Sequence, residues 1–131
     1  MAQVLKSVKI KSYSKINLSL RILNKLKSGM HNIETNSALI NIYDELIIKM
    51  NKKDETVFKG RFKEKVNSKK NSILLSLKLL RKMKLIKDNY KVIIKKNIPV
   101  FSGLGGGSSN AATIIKFFLK KDEINKKNIN Y

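Results

Sequence analysis

The residues best suited to chemistry in this 131-residue chain form one run, Pro99-Val100-Phe101-Ser102-Gly103-Leu104-Gly105-Gly106-Gly107-Ser108-Ser109-Asn110-Ala111-Ala112. Glycine lets the backbone take φ > 0 and lacks the Cβ that would hold a phosphate away from the chain. Successive N–H groups can then converge on an anion. A helix that starts at the end of the run turns its positive dipole end toward the same point. Ser108 and Ser109 add hydroxyls for a phosphate or for a magnesium ion. No Gly-Lys-Ser/Thr closes the run, so it is not a P-loop, and Ser108 stands where a dinucleotide fingerprint has its third glycine. A plain flexible turn is the alternative. Two serines leading straight into an apolar helix favour a phosphate cradle, in which an aspartate at Gly106 would put a carboxylate among the phosphates.

A second group lies near the N-terminus. Ile16, Leu18, Leu20 and Ile22 alternate with Lys15, Asn17, Ser19 and Arg21, the period of a half-buried strand that carries Lys15 and Asn17 on its polar face. His31, the lone histidine, sits in a polar loop from Asn24 to Asn32 with Gly29. A histidine there is as readily solvated as bound to a ligand. The pair Asp122-Glu123 reads as a solvated tail.

The elements that must hold these groups follow from the same patterns. Strands are predicted over Val4–Ile10, Ile16–Ile22, Thr35–Ile42 and Glu45–Met50, the last two joined by a turn at Tyr43-Asp44. A short strand is predicted near Thr56–Lys59 within a polar stretch. A helix from Ser72 to Lys84 has Ile73, Leu74, Leu77, Leu80 and Met83 near helical spacing, with Asn71 or Ser72 as its cap. Tyr90–Lys95 reads as a strand, Ser109–Leu119 as a second helix, and Lys120–Tyr131 as a polar tail. The order predicts an α+β sandwich of helices on a mixed sheet.

Composition sets the bounds. The length suits one domain, and zero cysteines exclude disulfides, Cys-based zinc sites and a thiol nucleophile. The longest uncharged stretch, Asn97–Ile115, is too rich in Gly, Ser and Asn to cross a bilayer, and lysines occupy the place of a signal peptide's apolar region. A cytoplasmic protein without a membrane partner is expected. The formal net charge of +20 would suit RNA. Its basic residues are 26 Lys and 3 Arg, however, spread along the chain and accompanied by 17 Ile and 14 Asn. A/T-rich coding explains all of these together, so no specific nucleic-acid partner is expected. A small basic RNA-binding protein is the rival reading.

The run Gly103–Ala112 after Ile98-Pro99 resembles the phosphate loop of the GHMP small-molecule kinases. Ser14-Lys15-Ile16-Asn17-Leu18-Ser19-Leu20, then Gly29-Met30-His31-Asn32-Ile33-Glu34-Thr35, then Asp44 resemble the branch acting on 4-diphosphocytidyl-2-C-methyl-D-erythritol in non-mevalonate isoprenoid synthesis, rather than the homoserine or mevalonate branches. The resemblance runs from about Ser12 to Leu119. It implies a fold related to the second domain of a ribosomal small-subunit protein, with ATP and Mg²⁺ as cofactors. Lys15 would be the catalytic lysine. Asn17, His31 and Met30 would bind the cytidyl-linked methylerythritol, with Met30 where the family usually has tyrosine. Asn71, Ile73, Lys96 and Pro99 would border the adenine. Pro99, Val100, Phe101, Ser102, Gly103, Leu104, Gly105, Gly106, Gly107, Ser108 and Ser109 would wrap the ATP phosphates, and Ser109 would reach the metal. Family members are about twice as long, with a catalytic aspartate beyond the second helix. The resemblance therefore implies an N-terminal, ATP-binding domain over residues 1–131, without the C-terminal domain and with little activity alone.

Overall fold

The structure, a computed structural model, describes residues 7–129, with side chains as far as residue 121. The first residues of the strand expected from Val4, the tail's end at Tyr131 and the Asp122-Glu123 side chains lie outside that description. The elements run β1 (Val8–Lys25), β2 (His31–Asn51), β3 (Glu55–Lys59), α1 (Ser72–Lys82), β4 (Asn89–Lys95) and α2 (Gly106–Ile129), with a 3₁₀ turn at Lys63–Lys65. One mixed sheet has the order β1-β2-β4-β3. Pairs β1–β2 and β2–β4 are antiparallel, and β3–β4 is parallel. The expected α+β sandwich is what forms.

The core occupies one sheet face. Leu46 opposes Ile94 and Ile48 opposes Val92 across β2–β4. Ile73, Leu77 and Leu80 of α1, and Ile114 and Phe118 of α2, close over them. Tyr90 packs on Phe118 with ring centroids 4.7 Å apart. The inward stripe of α2 steps by four residues, Gly106, Asn110, Ile114 and Phe118, all buried, as helical geometry requires. The Asn71 side chain caps α1, accepting from the N–H groups of Ile73 and Leu74. On the opposite sheet face Lys9 pairs with Glu45 at 2.8 Å. The Lys9 hydrogen bond holds Glu45 below the usual carboxylate range, and the same contact raises Lys9.

Four expectations change. The two N-terminal strands are one continuous β1, and the two after the loop are one continuous β2. Tyr43-Asp44 is not a turn. It lies within β2, where Asn41 and Ile42 form a bulge between the pairs Tyr13–Tyr43 and Ser14–Ile40. The Ser14 hydroxyl binds the Ile42 carbonyl exposed there, at 2.7 Å. The Ile16–Ile22 segment is not half-buried. The third strand, β4, reaches only as far as Glu45, so the hairpin beyond it stands as a two-stranded ribbon, with Leu18 67% and Ile22 65% exposed. Lastly, α2 begins at Gly106 and continues through the expected tail to Ile129.

A second bulge, at Leu18, reverses the predicted faces. Lys15 pairs with Leu39, Asn17 with Ser37, Leu20 with Thr35, Ile22 with Ile33, and Lys25 with His31. The odd-numbered β2 partners share one face. Lys15 and Asn17 therefore lie on the same side as Leu20 and Ile22, because the extra residue shifts the alternation by one.

At the site end of the core face, Asp44 is fully buried. Its Oδ2 accepts from Lys96 Nζ at 2.5 Å and Asn110 Nδ2 at 2.9 Å. Its Oδ1 accepts from the N–H groups of Asn97 and Ile98 at 2.7 and 2.8 Å. Replacing Asp44 by alanine strands the Lys96 ammonium and two backbone donors. Urea unfolding of Asp44→Ala should show a loss of about 3–5 kcal/mol, and a loss below 1 kcal/mol would mean that the pair holds nothing in place.

Candidate functional site

Strand β4 ends at Lys95, and the Asp44 carboxylate fixes the next three residues, Lys96, Asn97 and Ile98. The chain then turns through Pro99–Gly105, with positive φ at Phe101, Gly103 and Gly105, into the first turn of α2. Two cavities open on either side of this loop. The first, of about 420 Å³, lies between the loop and the start of α1, with Phe58 and Lys96 on its floor. The second, of about 500 Å³, lies between β1 and the first two turns of α2. Gly103, Gly105 and Ser108 line both, so the loop is the wall between them.

Most of the predicted phosphate and adenine residues line the first cavity: Pro99, Val100, Phe101, Ser102, Gly103, Gly105, Gly106, Gly107, Ser108, Asn71, Ile73 and Lys96. Leu104 is not among them; its carbonyl accepts the Lys15 N–H at 3.0 Å. Ser109 faces the second cavity. Its hydroxyl donates to the Tyr13 carbonyl at 2.5 Å and accepts from Ser12 Oγ at 2.9 Å, so it is already engaged where the sequence suggested a metal ligand. The Asn71 amide is engaged as well. It donates to Thr56 Oγ1 and the Asn67 carbonyl and accepts from two helix N–H groups. The Lys96 ammonium turns inward to Asp44 rather than outward to a base.

Lys15 and Asn17 line the second cavity with Lys11, Tyr13 and Lys116. His31 and Met30 line neither cavity and lie at the hairpin tip. From Leu39, opposite Lys15, to His31 is about 26 Å of extended strand. Sequence reasoning named Asp44 and Asn110 only as motif or turn positions, without their buried hydrogen bonds, and gave Ser12 no role. Asn110 had a readable signal, four residues after Gly106 on the buried stripe.

The glycines separate by cause. A Cβ at Gly106 would point inward, 2.9 Å from Lys96 Nζ and 3.0 Å from Ile98 Cγ2. The expectation that a side chain at 106 lands among phosphates is therefore corrected, since it would land in the core. Gly107 is different: a Cβ there meets nothing nearer than Ser72 Oγ at 4.0 Å, and its φ is not positive. Nothing in the chain itself requires glycine at 107. The bare backbone fits a phosphate laid on the helix N-terminus. Among the described residues no cluster of three or more His, Cys, Asp or Glu could hold a metal. Of the two serines, Ser108 opens to both cavities and could offer its hydroxyl to a magnesium ion.

This arrangement matches known proteins. Residues 71–130 match the family model described as GHMP kinases N terminal domain, and the fold is that of a GHMP kinase N-terminal domain. A solved structure of 4-(cytidine 5'-diphospho)-2C-methyl-D-erythritol kinase superposes with a TM-score of 0.64 at 24% identity, covering 84% of this chain and 39% of that one. Homoserine kinase from Cytophaga hutchinsonii superposes at 0.58 with 15% identity, covering 91% and 37%. In sequence, the chain is homologous to 4-diphosphocytidyl-2-C-methyl-D-erythritol kinases. It is 43% identical to that of Pelagibacter ubique over 93% of this chain and 44% of the relative. To that of Finegoldia magna it is 37% identical over 84% and 40%. The chain thus spans less than half the length of these relatives. No helix among the described residues is long and apolar enough to cross a membrane.

The two glycines give opposite expectations for thermal and urea unfolding. Gly106→Ala should destabilise by about 1–3 kcal/mol through overpacking. Gly107→Ala should stabilise by about 0.5 kcal/mol through reduced backbone entropy. Equal effects of the two would contradict the assignment.

Proposed function

We propose that the chain is the ATP-binding part of a small-molecule kinase that phosphorylates the 2-hydroxyl of 4-diphosphocytidyl-2-C-methyl-D-erythritol. The observation that carries this reading is the pair of cavities sharing one glycine-loop wall. Phosphoryl transfer needs the attacking and leaving oxygens in line across the transferred phosphorus, which two cavities meeting at one phosphate-binding loop allow. ATP occupies the first cavity, its phosphates on the N–H groups of the loop and the α2 N-terminus. The acceptor hydroxyl occupies the second cavity, and the γ-phosphate lies at Gly103, Gly105 and Ser108.

Lys15, on the β1 side of the second cavity, draws negative charge from the transferring group and the attacking oxygen. Asn17 holds the acceptor beside it, and Lys11 and Lys116 add attraction for an anionic substrate. Ser108 would hold a magnesium ion, which would supply further charge neutralisation when bound. Among the described residues no carboxylate or histidine lines the second cavity, so these offer the acceptor hydroxyl no carboxylate or imidazole base. Turnover by these 131 residues alone is expected to be low. A homoserine kinase shares the fold, and the names of the sequence relatives favour the cytidyl-linked acceptor over the homoserine and mevalonate readings. The RNA reading rests on charge and on the likeness to a ribosomal-protein domain.

Calorimetric titration tests the cradle. The parent chain should bind both MgATP and inorganic tripolyphosphate, and Gly107→Ala should weaken both at least tenfold while the fold is retained. No binding by the parent, or equal binding by the variant, would overturn the reading.

A further inference from the structure

We infer that Ser109, with Ser12 behind it, is a positioning residue that sets Lys15 against the phosphate loop. Its purpose rests on the kinase reading above; its geometry rests on hydrogen bonds alone. Strand β1 is the edge of the sheet, and an edge strand presents unpaired N–H and C=O groups outward. The loop and helix take two of them on either side of residue 14. The Tyr13 carbonyl accepts from the Ser109 hydroxyl, and the Lys15 N–H donates to the Leu104 carbonyl. The glycine loop is thereby stitched to the strand as a short substitute neighbour, one rung of which is the backbone of Lys15.

The hydroxyl orientation is forced. A serine hydroxyl has one proton to donate. Ser12, fully buried, gives its proton to Ser109 Oγ at 2.9 Å. The Ser109 proton then goes to the Tyr13 carbonyl. The first turn of α2 is Gly106-Gly107-Ser108-Ser109, and its buried member, Gly106, faces Lys96 and Ile98 rather than β1. Ser109 is thus the side chain through which this turn reaches β1. Truncating it leaves the Tyr13 carbonyl and the Ser12 hydroxyl without their partner, and the separation between Lys15 and the loop loses one of its two fixed points.

Amide hydrogen exchange followed by NMR reads this without any ligand. In Ser109→Ala the Lys15 amide should exchange at least tenfold faster while the β2–β4 ladder amides keep their parent rates. Ser109→Thr, which retains the hydroxyl, should stay within threefold of the parent. An unchanged Lys15 amide in Ser109→Ala overturns the inference. Should that variant unfold, Ser12→Ala serves instead, with at least a threefold rise expected at Lys15 alone and no rise overturning it. A second readout is acetylation of the Lys15 amine, located by peptide mass spectrometry. Saturating MgATP should shield Lys15 at least fivefold in the parent and not in Ser109→Ala. Bound MgATP that leaves Lys15 unshielded in the parent overturns the positioning role. Absence of any MgATP binding defeats the kinase reading instead, and the exchange result then decides the strap by itself.

Discussion

Taking the Asp44 carboxylate out of water costs several kcal/mol, and the chain offsets this with four hydrogen bonds drawn from separate stretches. Two come from the backbone of Asn97 and Ile98, one from Lys96 and one from Asn110 of α2. Each bond also fixes a direction. The backbone pair makes the chain leave β4 at one angle, which aims Pro99 into the loop. The Asn110 bond sets the first turn of α2 beside that exit. The Lys96 ammonium, paired with Asp44, lies directly beneath Gly106. The apolar rungs above Asp44, Leu46–Ile94 and Ile48–Val92, supply the burial that makes the bonds matter, since water would otherwise compete for every one of them. The core and the site share one sheet face, with the polar cluster at its end.

On this fixed base, a loop of small residues does several jobs. Gly103 and Gly105 are needed for backbone conformation, with φ of 75° and 68°. Gly106 is needed by the chain's own packing. Gly107 is needed by neither, which is why it speaks for a ligand. A run that looks uniform in sequence thus divides into turn positions, a packing position and one, Gly107, that the chain's own structure leaves open. The same economy shows in the two serines that follow. Ser108 opens to both cavities, whereas Ser109 is committed to the strand.

Much of this was legible. The glycine loop, the helix after it, α1 with its Asn71 cap, and β4 follow from local signals that tertiary structure does not override. The hairpin was misread because bulges are invisible to an alternation count. One extra residue at Leu18 moves Lys15 and Asn17 onto the face of Leu20 and Ile22. Two extra residues at Asn41-Ile42 let a single strand carry what looked like a break. Asp44 was read as a turn residue because a carboxylate is expected at the surface, and its four partners come from 50 or more residues downstream. The start of α2 was placed at Ser109 because glycine is a poor helix former. In the fold, the bonds of Asn110 and Ser109 hold that first turn in place from the side.

The most direct test of the two-cavity account is paramagnetic relaxation with ATP carrying Mn²⁺ in place of Mg²⁺, at low ratio, read on backbone amides. The metal should lie at the wall between the cavities. Amides of Gly105, Gly107, Ser108 and Lys15 should broaden first, with those of Leu80 and Tyr90 sharp. Broadening spread over the lysine-rich surface, or centred away from residues 103–109, would contradict it.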